Sequence, residues 1–139
     1  MKVLVTGGAG FIGANFVHHL AAERPGWKVT VLDALTYAGN LNNISSLVRQ
    51  ERVSFRKGDI TDSSSVSGLF SAEKFDLVFH FAAESHVDRS IMSAAEFVRT
   101  NVLGTEALLT AAVENGVKRF VHVSTDEVYG SLGPTGSFT

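Results

Sequence analysis

Two clusters of residues in this sequence have the types and spacing to do chemistry. The first is Thr6-Gly7-Gly8-Ala9-Gly10-Phe11-Ile12-Gly13, which follows a short apolar run and opens an amphipathic stretch. In that setting Gly7 allows a tight turn, Gly10 lets a backbone approach a pyrophosphate, and Gly13 permits close helix–strand packing. Phosphates would rest on the free N–H groups of the helix N-terminus. The second cluster is Ser124-Thr125-Asp126-Glu127-Val128-Tyr129-Gly130, two adjacent acids and a hydroxyl just past another apolar run. Two carboxylates in different surroundings hold different pKa values, so one serves as acid and the other as base. That pairing suits elimination of water, with one group taking a carbon-bound proton and the other protonating the departing hydroxyl. A solvated acidic turn is the plain alternative.

Between these clusters lie residues suited to hold a dinucleotide. Asp33 closes an apolar run twenty residues after Gly13, where a carboxylate accepts from adenosine ribose hydroxyls and repels a 2′-phosphate, so NAD is expected over NADP. Capping the following loop is the other use for such an Asp. Gly58-Asp59-Ile60 repeats the pattern after the next run, with Asp59 facing an adenine amino group or simply closing an Asp turn. Farther on comes Phe79-His80-Phe81-Ala82-Ala83-Glu84-Ser85-His86-Val87-Asp88-Arg89-Ser90. Ala82 and Ala83 are small enough for backbone to pass against a cofactor, and Ser85 can bond a substrate hydroxyl. His80 and His86 read as hydrogen-bonded structural histidines, and Asp88 or Ser90 as helix caps. Thr100 and Asn101 interrupt an otherwise apolar helix; Thr100 is expected to reach the cofactor and Asn101 a backbone.

The elements that must position these residues alternate. Strands are expected at 2–6, 28–33, 52–57, 75–81 and 118–124, and helices near 11–23, 40–50, 62–70 and 91–115. This is the order of an α/β doubly wound parallel sheet of the Rossmann type. The first helix shows a core-facing stripe of Gly13, Phe16, Val17, Leu20 and Ala21. Helix 91–115 is apolar nearly all round, which predicts one face on the sheet and one on a second copy of the chain, a homodimer. After the fifth strand comes a turn-rich tail, so residues 1–139 read as an NAD-binding domain incomplete at its C-terminus, with further strands and a substrate domain absent.

Composition narrows the partners. Twelve Lys and Arg against fourteen Asp and Glu give a net charge of −2 with no basic run, which argues against nucleic acid or an anionic membrane surface. The absence of cysteine removes disulfides, thiolate metal sites and thiol nucleophiles, and no metal site is expected. No apolar run approaches the roughly 20 residues of a membrane helix, and the opening run is too short for a signal peptide. A cytoplasmic protein is expected.

The whole chain resembles the N-terminal portion of the bacterial dTDP-glucose 4,6-dehydratases, extended members of the short-chain dehydrogenase/reductase superfamily. The three-and-three glycine spacing is the superfamily's variant. More restrictive are Asp33-Ala34-Leu35-Thr36-Tyr37-Ala38-Gly39-Asn40-Leu41, the segment from His80 to Ser90, and Val123 to Ser131. The resemblance implies that NAD⁺ oxidises dTDP-glucose at sugar C4, that water then leaves across C5 and C6, and that the hydride returns to C6. It implies Asp126 as the acid at the C6 hydroxyl, Glu127 as the base at C5, and Thr125 as a substrate contact near C4. Cofactor contacts would come from Gly7, Gly10, Phe11, Ile12, Gly13, Asp33, Ala34, Leu35, Thr36, Asp59, Ile60, Phe81, Ala82, Ala83, Glu84, Ser85 and Thr100, with Ser85 also facing substrate.

Two departures from the family pattern stand out. Ala34 occupies a place where many relatives carry Lys. The family's Tyr-x-x-x-Lys pair has no counterpart: the tyrosines are Tyr37 and Tyr129, with Leu41 and Gly133 four residues after them. Since the Tyr deprotonates O4 and the Lys lowers its pKa, the 139 residues alone are expected to be inactive. The competing expectations are a dehydratase for another nucleotide sugar, a nucleotide-sugar 4-epimerase, which needs neither acid of the pair, and a non-catalytic NAD-binding module.

Overall fold

The computed structural model describes residues 1–86, 93–131, 133 and 135–137, with only the backbone of Asp126 and Glu127. Its strands are β1 (Lys2–Thr6), β2 (Lys28–Asp33), β3 (Val53–Lys57), β4 (Leu77–His80) and β5 (Arg119–His122). All four pairings are parallel, in the order β3-β2-β1-β4-β5. The order reverses direction at β1, so the carboxyl ends of β1 and β4 flank the crevice where such sheets hold ligands.

Helices cover both faces, and strand alternation decides which face each residue feeds. Val3 and Val5 of β1 and Val29 and Val31 of β2 pack with Ala14, Val17 and Leu20 of α1 (Phe11–Glu23). Leu4 and Leu32, one residue out of phase, join Val66 and Phe70 of α3 (Ser63–Glu73) on the other face. Leu108, Ala111 and Ala112 of α5 (Thr105–Glu114) complete that cluster. Leu4 is fully buried, and its truncation to Ala would cost about 2–5 kcal/mol.

The expected strands run longer than those found: Phe75 and Asp76 precede β4, and Val123 and Ser124 follow β5. Helix 40–50 divides into a 3-10 turn, Leu41–Asn43, and α2 (Ser45–Arg49). The Asn43 carbonyl accepts from His18 Nε2 at 2.8 Å and its amide donates to the Ala9 carbonyl at 2.8 Å, so tertiary bonds replace the helical ladder there. α3 runs three residues past the expected end, to Glu73, and stops at Lys74, whose φ of +54° is a left-handed cap.

Helix 91–115 departs most. Residues 91 and 92 lie outside the described residues; α4 (Ala94–Phe97) leads into a π-helical stretch, Val98–Gly104, and then α5. Gly104 meets the sheet side so closely that a Cβ there would stand 2.6 Å from Ile60 Cγ1. One face is buried, as expected, while Val98, Val102, Leu103, Leu109 and Val113 remain exposed.

Candidate functional site

The site forms at the carboxyl ends of β1, β2, β4 and β5. Gly7 leaves β1 with φ +69°, and a Cβ on it would stand 2.6 Å from the Ala82 nitrogen. Only glycine lets the loop after β1 touch the loop after β4 this way. A Cβ on Gly13 would drive into the Gly7 carbonyl. The close packing expected of Gly13 is therefore against the loop's own backbone, and α1 is drawn back onto the turn that starts it.

Gly10 behaves differently. As N-cap of α1 it has extended backbone (φ −78°, ψ 179°), and no side chain caps the helix or places an acid in its first turn. The first helical bond runs from the Ala14 N–H to the Gly10 carbonyl at 2.9 Å. The amides of Phe11, Ile12 and Gly13 come before it and have no partner within the helix. Beside them, Phe11 and Ile12 are 83% and 61% exposed, unusual for large apolar side chains. An anion with flat apolar appendages fits this end of α1.

Asp33 ends β2 nearly buried, and its use as a cap of the following loop is present. Oδ2 accepts from the Ala9 N–H at 2.9 Å, binding the glycine loop, and Oδ1 accepts from the Leu35 N–H at 2.8 Å, closing the loop after β2. Each oxygen retains a lone pair for a further donor. Leu35 holds φ +53°, a strained conformation for a bulky residue, beside half-buried Ala34 and exposed Thr36. Asp59 closes an Asp turn, its Oδ1 accepting from the Thr61 N–H at 2.8 Å, and Ile60 is buried beneath the π-helical stretch.

After β4, Phe81 packs its ring on Phe16, centroids 5.0 Å apart, and Ala82 sits over Gly7. Ala83 and Ser85 are exposed, and Glu84 and Thr100 half-buried. Asn101 does reach a backbone: its amide bonds both the N–H and the carbonyl of Glu84, at 2.8 and 2.9 Å. The Tyr37 and His86 rings meet edge to face at 6.2 Å, so the loops after β2 and β4 touch. Asp88 and Ser90 lie outside the described residues.

β5 ends beside β4, and the Val123 N–H donates to the His80 carbonyl at 3.0 Å, one step past the strand. Thr125 is exposed, and Asp126–Tyr129 form a single 3-10 turn. The side chains of Asp126 and Glu127 lie outside the described residues.

His80 is structural, as its sequence setting suggested. It is fully buried, with Nδ1 2.6 Å from Thr6 Oγ1 and Nε2 2.9 Å from Thr105 Oγ1. Burial, with His122 adding to it, pushes its pKa down to about 4, so the ring is neutral near pH 7. Sequence reasoning missed this network and the Asn40 and Asn43 bonds to Ala9. The signal for the network was a His and two Thr within elements predicted to be apolar. Among the described residues no group of three His, Asp or Glu could hold a metal ion, and no helix is long and apolar enough to cross a membrane.

Known proteins share this arrangement. A dTDP-glucose 4,6-dehydratase of Streptomyces antibioticus is 55% identical over 137 residues, 95% of this chain and 39% of the relative. The structure of a dTDP-glucose 4,6-dehydratase from Streptomyces venezuelae, solved with NAD bound, superposes with a TM-score of 0.89 at 52% identity, covering 99% of this chain and 43% of that one. A UDP-glucose 4-epimerase from Thermus thermophilus, in complex with NAD, gives 0.85 at 35% identity, over 98% and 42%. The chain thus spans about two fifths of the length of these proteins. The sequence model of the GDP-mannose 4,6 dehydratases matches residues 4–138. Carrying the family's glycine loop and strand order over nearly its whole length, the chain belongs to the GDP-mannose 4,6 dehydratase family.

Proposed function

We propose that residues 1–139 are the NAD-binding domain of a cytoplasmic nucleotide-sugar 4,6-dehydratase that converts dTDP-glucose to dTDP-4-keto-6-deoxyglucose. The observation that carries this reading is Thr125-Asp126-Glu127 standing immediately past β5, on the strand beside the loop Phe81–Ser85, in a chain about half identical to proteins named for that reaction. A 4-epimerase has no use for the acid pair, and the epimerase structures match at lower identity.

The residues fit the cofactor on this chain's own geometry. The amides of Phe11, Ile12 and Gly13, which have no partner within the helix, hold the pyrophosphate, Asp33 the adenosine ribose, and Ala82 and Ala83 leave room for backbone to pass. When bound, NAD⁺ supplies the hydride acceptor for oxidation at C4 and the hydride donor at C6. Asp33, held in place by two backbone bonds, sets a carboxylate where a 2′-phosphate would be repelled. Thr125 bonds the sugar near C4, Glu127 takes the proton at C5, and Asp126 protonates the C6 hydroxyl as it leaves. Ser85 bonds the substrate from the β4 side.

A second copy of the chain covers the exposed stripe Val98, Val102, Leu103, Leu109 and Val113. These residues lie opposite the face that α5 gives to the sheet, and exposed apolar stripes of this kind mark interfaces.

The test is made on the full-length protein that carries these residues, with dTDP-glucose and NAD⁺. Asp126→Asn and Glu127→Gln are expected to slow water elimination at least a hundredfold while NAD stays bound. Loss of NAD from either variant would make the pair structural, and turnover of UDP-glucose to UDP-galactose would favour the epimerase.

A further inference from the structure

β4 carries a histidine where an aliphatic residue would pack, and its hydrogen bonds can be given directions. The Thr105 hydroxyl has a single proton, committed to the Asn101 carbonyl at 2.8 Å. It therefore faces His80 as an acceptor, Nε2 holds the ring proton, and Nδ1 accepts from the Thr6 hydroxyl at 2.6 Å. Thr6 Oγ1 in turn accepts from the Ala82 N–H at 3.4 Å. The chain runs from Ala82 through Thr6, His80 and Thr105 to Asn101 without a free donor.

At its far end Asn101 turns back to the same loop, holding Glu84 by its N–H and its carbonyl. The loop after β4 is thus fixed at Ala82 from β1 and at Glu84 from the helix. Asn101 sits in the π-helical stretch, a rare form that recurs at functional sites. Ala82 also lies against Gly7 too closely for any Cβ between them. A shift of the loop would therefore move the glycine turn with it.

We infer that Asn101 is a positioning residue which, with the Thr6–His80–Thr105 chain beneath it, sets the Ala82–Glu84 backbone to the shape the cofactor crevice requires. His80 transmits orientation and moves no proton in the reaction. The inference rests on the reading that NAD binds here, so its test has one arm that needs no cofactor.

That arm is amide hydrogen exchange in the full-length protein. Asn101→Ala is expected to speed exchange at Glu84 at least tenfold, leaving the β1 and β2 amides unchanged. Asn101→Asp keeps the acceptor and retains protection at Glu84 while losing the donor to its carbonyl. In calorimetric titration with NAD⁺, both variants bind at least fivefold more weakly. Thr105→Val also weakens binding, and Thr105→Ser restores it. Faster exchange at Glu84 with NAD affinity within twofold of the parent would overturn the positioning role, and unchanged exchange would remove the clamp. If the parent protein binds no NAD, the cofactor reading fails and with it the role assigned to Asn101, while the exchange arm still reports the clamp. Should Asn101→Ala not fold, Asn101→Asp and the contrast of Thr105→Val with Thr105→Ser decide the matter.

Discussion

The carboxylate of Asp33, at the end of β2, accepts the N–H of Ala9, in the loop after β1, at 2.9 Å. The glycine loop after β1 and the loop after β2 are thereby tied to one side chain, since the other oxygen holds Leu35. Charge-assisted bonds of this kind contribute about 1.5–3 kcal/mol each when buried. Asp33→Ala is expected to lower unfolding free energy by about 3 kcal/mol in urea titration and to abolish measurable NAD binding. Unchanged stability would mean that water replaces the carboxylate at both amides.

Gly10 and Gly13 separate binding from folding. A Cβ on Gly13 has nowhere to go, because the Gly7 carbonyl occupies its place. Gly13→Ala should cost more than about 3 kcal/mol, the upper range for overpacking. At Gly10 a Cβ would sit 3.3 Å from the same oxygen, with the Ala38 carbonyl at ordinary contact distance, 3.9 Å. Gly10→Ala should cost about 1 kcal/mol or less, yet weaken NAD at least tenfold by standing where the pyrophosphate approaches. Thermal unfolding and titration with NAD⁺ on the two variants check this, and equal losses of stability would contradict it.

The ligand end of the sheet was legible because its signals are local. A glycine turn between a strand and a helix, and an acid at the end of the next strand, are read from spacing, and β1, α1 and β2 fall where their patterns put them. What stayed hidden depends on distant partners. His18 and Ala9 break the helix expected over 40–50 by claiming Asn43. The π-helical stretch follows from no periodicity, since Gly104 must meet Ile60 and Asn101 must meet Glu84 at once. Helical period alone sees only apolar residues there.

His80 gives stability a pH dependence whose sign follows from its folded pKa of about 4 against 6.5 for the free side chain. Above pH 6.5 both states are neutral and it contributes no slope. Between pH 6.5 and 4 the unfolded chain takes up a proton that the folded one refuses, so stability falls as pH falls. The loss reaches on the order of 3 kcal/mol at pH 4 and levels off below it. In His80→Gln this component is absent. The stability difference between parent and variant, measured by urea unfolding, should therefore shrink by that amount from pH 7 to pH 4. A difference that stays constant would show His80 titrating normally.

The exposed stripe on the π-helical stretch and α5 supplies the last prediction. Val102 and Leu103 are each 57% exposed and Leu109 44%, while Leu108 between them is fully buried. A charge at Val102 or Leu109 enters water in a monomer at little cost, but must be desolvated without a partner in a dimer that buries this stripe. Val102→Asp and Leu109→Glu should leave thermal unfolding of the isolated fold nearly unchanged and convert the full-length protein to a monomer in sedimentation experiments. Leu108→Ala, whose side chain faces the sheet, should do the opposite: it removes about 2–5 kcal/mol of stability without changing the assembly. If the two charged variants sediment as the parent does, the second copy of the chain packs elsewhere.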